Sequence, residues 1–219
     1  MPSTLCSEAV TRVLARLREA GRVEDEPAKR RVRAREAEAG RKIYGRERAD
    51  LYGQAPIAVT HEVGELLYVL ALGRRMVVEF GTSLGVSTIY LASAIRDAGD
   101  GVVITTEFQP DKAARAAANL AEAGLADVVE LRVGDALETL RDLDGPVDLL
   151  FLDGWNDLYL QVLEALEPHL RPGALVAADM SKDDPHHDRY RAHVRDPAHG
   201  YFSTEVPLDD GVVISVRLG

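Results

Sequence analysis

The sequence predicts an α/β protein: a mostly parallel sheet closed by an antiparallel hairpin, with helices ahead of it. Three observations predict this. From residue 76 onward, short apolar runs alternate with helix-length segments. The runs are continuously apolar, as in Val147-Asp148-Leu149-Leu150-Phe151-Leu152, the pattern of strands buried on both faces of a parallel sheet. The C-terminal segment then changes character: two strand-like runs, 201–206 and 212–217, flank Asp209-Asp210-Gly211, and Asp-Gly is a hairpin signal.

Taken in order, the first element is a helix carrying Val10, Val13, Leu14 and Leu17 at helical spacing, with Gly21 as its stop. Residues 27–48 are dense in Arg and Glu and read as a solvated helix with i,i+4 pairs, or else as a lid or dimer contact. Gly45, Gly53 and Pro56 break that pattern, and Thr60 is the N-cap of a helix from His61 to Leu72. Strands are expected at 76–80, 102–106, 128–133, 147–152 and 173–178, and helices at 86–98, 110–123, 136–141 and 158–167. Gly124 stops the second of these helices, and Pro172-Gly173 is a turn before the fifth strand. Pro185 starts a further helix that ends near Arg195. The division is residues 1–55 as a helical extension and 56–219 as the α/β domain.

The chain is organised around Val77-Val78-Glu79-Phe80-Gly81-Thr82-Ser83-Leu84-Gly85-Val86-Ser87-Thr88, a strand, a glycine turn and a helix start. Gly81 and Gly85 let the backbone turn sharply and approach a ligand, and the free N–H groups of the helix start favour an electron-rich group. The spacing is Gly-x-x-x-Gly rather than the Gly-x-Gly-x-x-Gly of dinucleotide dehydrogenases, which, with the terminal hairpin, weighs against nicotinamide redox chemistry. Glu107 ends the second strand, where an acid reaches ribose hydroxyls in a nucleotide-binding βαβ unit.

With 26 basic and 36 acidic residues the formal charge is −10, a poor match for nucleic acid or an anionic membrane. Cys6 is the single cysteine, so there is no internal disulfide framework. Charged residues at Glu8, Arg12, Arg16, Arg18 and Glu19 rule out a signal peptide at the N-terminus, and no apolar run reaches the length of a membrane span. A cytoplasmic protein is the expectation.

Together the motifs resemble the small S-adenosylmethionine-dependent O-methyltransferases related to catechol and caffeoyl-CoA O-methyltransferases, over roughly residues 55–217. The motifs are Glu79 to Thr88, then Glu107, then Gly134-Asp135-Ala136, then Leu152-Asp153-Gly154-Trp155-Asn156-Asp157-Leu158-Tyr159, then Leu170-Arg171-Pro172-Gly173-Ala174-Leu175, and Asp179. The resemblance implies a Rossmann-like class I methyltransferase fold, a seven-stranded sheet with its last strand antiparallel. It implies S-adenosylmethionine as cofactor, with Glu79, Gly81, Thr82 and Ser87 at its methionine part, Glu107 on the ribose and Asp135 and Ala136 at the adenine. Val59 and Thr60 would cover the methionine end, and Trp155 would flank the adenine or the substrate mouth unless it is a core-capping aromatic.

Catechol-type relatives use a divalent metal held by two acids and an asparagine, with a lysine as base. Asp153 and Asp179 match the two acids. Met180 stands where the asparagine is expected and Asn156 where the lysine is. A thioether is a poor ligand for Mg²⁺, and asparagine is no base at neutral pH. Asp183, Asp184, His186 and His187 follow, either as a polar loop and helix start or as a source of a base or ligand. The expectation is methyl transfer to a hydroxyl of a small-molecule acceptor by a homodimer, with Asp153, Asn156, His186 and His187 as candidate catalytic residues and Mg²⁺ in doubt. The alternative is a catalytically inactive protein that binds S-adenosylmethionine or S-adenosylhomocysteine.

Overall fold

The computed structural model describes residues 3–181 and 184–219. Asp183, one of the polar candidates above, lies outside the described residues.

The centre is a seven-stranded sheet of order β3-β2-β1-β4-β5-β7-β6. Its strands are β1 (Met76–Phe80), β2 (Val102–Glu107), β3 (Val129–Val133), β4 (Val147–Leu152), β5 (Leu170–Asp179), β6 (Tyr201–Val206) and β7 (Val212–Arg217). The first five are parallel; β7 runs antiparallel to both β5 and β6. The chain order reverses at β1, with β2 on one side and β4 on the other, so the crevice of the sheet opens at their carboxyl ends. That is where the organising glycine turn sits.

Every residue of β4 is buried, as its continuous apolar run requires, whereas β3 is an edge strand with alternating exposure. The polar exception in β4, Asp148, accepts from Arg75 N (2.7 Å) and Met76 N (3.0 Å) and pairs with Arg171. That pairing explains one departure from expectation. β5 begins at Leu170 rather than 173, and Arg171-Pro172-Gly173 is an irregular strand segment facing a register shift, not a turn. Pro172 has no N–H to give to a ladder, so the bulged stretch is where the sheet tolerates it.

Helices α3 (His61–Ala71), α4 (Val86–Ala98), α5 (Pro110–Glu122), α6 (Ala136–Thr139), α7 (Tyr159–Leu166) and α8 (Pro185–Arg195) cover the two faces. Thr60 caps α3 through Val63 N, and Gly64 of α3 packs against the Tyr90 ring so closely that a Cβ there would lie 2.4 Å from it. The 136–141 helix is only the single turn α6, and 158–167 divides into a 3₁₀ turn, α7 and a second 3₁₀ turn.

The larger correction is at the N-terminus. Helix α1 runs unbroken from Glu8 to Ala39 through both Gly21 and Pro27, and ends at Gly40 with φ 63°. Glycine costs a helix about 1 kcal/mol relative to alanine, which burial at both ends outweighs. Val10, Val13, Leu14 and Leu17 enter the main core beside α3 and α4, while Ala28 and Val32 pack with Tyr52 and Ala55. Gly45 starts helix α2 (Gly45–Tyr52) instead of only breaking the pattern. Among the described residues, no helix is long and apolar enough to cross a membrane.

Candidate active site

A cavity of about 580 Å³ opens at the carboxyl ends of β1, β2, β4 and β5, within the range of small-molecule sites. Its floor is the glycine turn. Gly81 has φ 106°, and a Cβ there would lie 2.6 Å from the Asp153 carbonyl oxygen, so only glycine lets β1 and the end of β4 approach this closely. The contact is locked by Asp153 N donating to Phe80 O at 2.9 Å. Ser83 takes the left-handed φ of 47°, held by its N–H to Glu107 Oε2 (2.8 Å) and its hydroxyl to Pro56 O.

Glu107 ends β2 inside the cavity. Its second oxygen accepts from Gln109 N at 2.9 Å. Each carboxylate oxygen thus holds one backbone N–H and keeps a lone pair for a ligand hydroxyl. Burial raises its proton affinity, against the pull of these N–H groups and of Lys112. Lys112 of α5, itself buried, also lines the cavity and reaches Ser83 Oγ at 3.4 Å.

The remaining expected cofactor residues divide into two groups. Val59, Thr82, Ser87, Asp135, Ala136 and Trp155 line the cavity, as do Gly81 and Asp153. Thr60 and Glu79 do not. Thr60 serves as the α3 cap. Glu79 is wholly buried behind the turn, where Oε2 accepts from Thr88 Oγ1 (2.5 Å) and Thr105 Oγ1 (2.6 Å). These bonds tie the end of β1 to the start of α4 and to β2.

Asp153 and Asp179 face the cavity with Asn156 and Met180. Burial, then Asp179, Glu79 and Asp209, raise the proton affinity of Asp153 well above the ordinary carboxylate range. Burial, then Asp209 and Asp210, push Asp179 up to about 7. The two hairpin acids also line the cavity. The donor set does not fit a hard divalent cation. The third oxygen ligand is replaced by the buried thioether of Met180, and no group of three His, Cys, Asp or Glu side chains among the described residues is arranged to hold a metal. The Asn156 amide is engaged elsewhere, donating to Asp184 Oδ2 (2.9 Å) and Ser181 Oγ (3.2 Å).

The histidine pair lies outside the cavity lining. His187 is fully buried; its Nδ1 accepts from Ser181 N at 2.9 Å, and burial lowers its basicity. His186 packs edge-on against Tyr44, with ring centroids 4.6 Å apart.

The N-terminal segment supplies what sequence reasoning missed. Val32, Arg48, Tyr52 and Ile57 line the cavity; Tyr52 stacks on Trp155 with ring centroids 6.2 Å apart, and the Arg48 guanidinium lies 5.2 Å from the Tyr52 ring centroid. Tyr44, Ile43, Leu51 and Tyr52 stand out as apolar anchors in a charged stretch, but their target is not readable from spacing. The Asp-Gly hairpin signal located the turn at Asp209-Asp210, and the strand order then brings it beside the end of β5.

The fold and this strand-end cavity are those of methyltransferases, and the comparisons agree. A family described as a methyltransferase domain matches residues 78–179. A putative O-methyltransferase of Mycolicibacterium smegmatis is 36% identical over 188 residues, covering 78% of this chain and 88% of that one. The chain belongs to the S-adenosylmethionine-dependent O-methyltransferases. A catechol O-methyltransferase of Mycobacterium tuberculosis is 42% identical over 127 residues, 56% of each chain, so the match spans a little over half of that relative. Among solved structures, an O-methyltransferase from Streptomyces achromogenes in complex with S-adenosylmethionine has a TM-score of 0.67 at 29% identity, covering 74% of this chain and 82% of its own. The family's expected seven-stranded class I sheet is therefore the observed one.

Proposed function

We propose that this chain transfers the methyl group of S-adenosylmethionine to a phenolic hydroxyl of a small, catechol-like acceptor, and that it does so without a divalent metal. The observation that carries the reading is Glu107, a buried carboxylate with a lone pair on each oxygen, aimed into the cavity beside the glycine turn. Relatives named as catechol O-methyltransferases, and a neighbour solved with the cofactor, support the same assignment.

The cofactor's sulfonium supplies a methyl group already activated for displacement. Glu107 holds the ribose, Asp135 and Ala136 border the adenine, and Gly81 and Ser87 border the methionine end. Trp155 and Tyr52 form an aromatic wall against which a flat acceptor lies. Alignment of this kind supplies up to about 7–11 kcal/mol. Asp179, poised near neutrality by burial and by the hairpin acids, accepts the hydroxyl proton, with Asp153 beside it. Asn156 holds Ser181 and Asp184 through its amide and takes no proton.

The test is methyl transfer from labelled S-adenosylmethionine to a panel of catechols, with and without EDTA. Transfer that survives EDTA is the expected outcome. EDTA-sensitive transfer overturns the metal-free part. No transfer, with S-adenosylhomocysteine binding intact, favours the second reading of a cofactor-binding protein without catalysis, which the engaged amide of Asn156 in the base position supports. A cytoplasmic homodimer is a separate proposal, and light scattering should then read twice the 23.9 kDa chain mass.

A further inference from the structure

The cavity is electrically divided. Its strand-end wall carries Asp153, Asp179, Asp209 and Asp210, whereas the α1–α2 side carries Lys29, Arg33, Lys42 and Arg48. This cationic side belongs to a chain of net charge −10. One acid of the α1–α2 segment, Glu36, lines the cavity, and it is already engaged. It accepts from Ile43 N (3.2 Å) and pairs with Lys42 (3.2 Å) and Arg48 (3.5 Å). Arg33 pairs with Glu26, which does not line the cavity. Lys29 makes no hydrogen bond or ion pair among the described residues; the carboxylate that attracts it, Asp25 one turn earlier on α1, does not line the cavity.

An acceptor whose hydroxyl sits at the acids projects its remainder toward α1 and α2. A neutral diol would give Lys29 and Arg33 nothing to bind. We propose that the acceptor carries a carboxylate or phosphate-type anion remote from the methylated hydroxyl, and that Lys29 and Arg33 select it. This rests on the methyl-transfer reading above. Charge complementarity at this rim acts mainly on binding, because the anion takes no part in displacement at the hydroxyl.

The experiment is calorimetry on the full chain loaded with S-adenosylhomocysteine. The probes are 3,4-dihydroxybenzoate, 3,4-dihydroxybenzylphosphonate and the neutral 3,4-dihydroxybenzyl alcohol, at low and high NaCl. At low salt the better anion should bind about tenfold more tightly than the alcohol, two partly exposed cations each contributing a few-fold, and the preference should shrink in salt. The benzoate and phosphonate arms decide which anion fits. Lys29→Met combined with Arg33→Gln should erase the preference, while Arg22→Gln, on the same helix outside the cavity, should keep it. Equal binding of all three probes, or a preference that survives the double variant, overturns the proposal. So does a fall in S-adenosylhomocysteine affinity in the double variant, which would assign these cations to the cofactor's carboxylate. An anion preference without methylation of any probe would instead sink the transfer reading and leave only the anion selectivity of Lys29 and Arg33.

Discussion

Replacing Glu107 tests the cofactor site most directly. In the folded chain its two oxygens are fixed by Ser83 N and Gln109 N, so the carboxylate is positioned before any ligand arrives. Two ribose hydroxyls bonded to it make two charge-assisted hydrogen bonds, each worth about 1.5–3 kcal/mol. Glu107→Ala removes both and should weaken S-adenosylhomocysteine by about 3–6 kcal/mol, a loss of roughly 10²- to 10⁴-fold. Glu107→Gln is the sharper variant. Its amide keeps one acceptor oxygen, but its NH₂ must face one of the two backbone N–H donors, so it should do little better than alanine. Calorimetry measures affinity, with thermal melts of the unliganded proteins alongside to exclude unfolding. A Glu107→Gln protein that folds and binds within about threefold of the parent would refute the reasoning, because a bond pair of this strength cannot be lost so cheaply.

Three further outcomes are expected. Restoring the family's groups with Asn156→Lys and Met180→Asn should create Mg²⁺-dependent catechol methylation, more than additively because both changes act on one hydroxyl; purely additive or absent metal dependence counts against the site assignment. The rate should rise with pH and level off above about 7, since Asp179 acts as a base only after losing the proton that burial helps it keep; a flat profile over that range removes Asp179 from the role. Gly64→Ala should destabilise by about 1–3 kcal/mol despite alanine's better helix propensity. Its Cβ would enter the Tyr90 ring, which His61 Nδ1 (2.8 Å) and Arg18 Nη2 (2.5 Å) hold in place; a melting temperature equal to or above the parent's refutes this.

The sheet was legible wherever a strand's own residues decide its environment. β1 and β4 read correctly because burial on both faces demands an unbroken apolar run, and Thr60 read correctly as a cap because capping is local. The start of β5 was not legible, since it depends on Arg171 meeting Asp148 on a neighbouring strand. Gly21 reads locally as a helix stop. What carries α1 past it is Val32 packing beside Tyr52 and Ala55, a contact set by the tertiary fold. The same limit applied at the site. Glu107 could be placed at a strand end beside the glycine turn, whereas the Tyr52–Trp155 stack joins residues far apart in sequence. The hydrogen bond from the Asn156 amide to Asp184 was not legible either, because Asp184 is the N-cap of α8 and only the fold brings it near.

Helix α1 has one end in the main core and the other over the cavity, and this separates two kinds of inheritance. The groups proposed for the cofactor sit on the sheet and its turns, while the cationic groups that line the cavity from α1 and α2 sit in one contiguous stretch ahead of the sheet. Drift in that stretch can change what is recognised and leave untouched the chemistry performed on it. A transplant of residues 1–55 between two such proteins, cut at a segment boundary instead of through the sheet, should therefore carry acceptor preference with it as a portable trait.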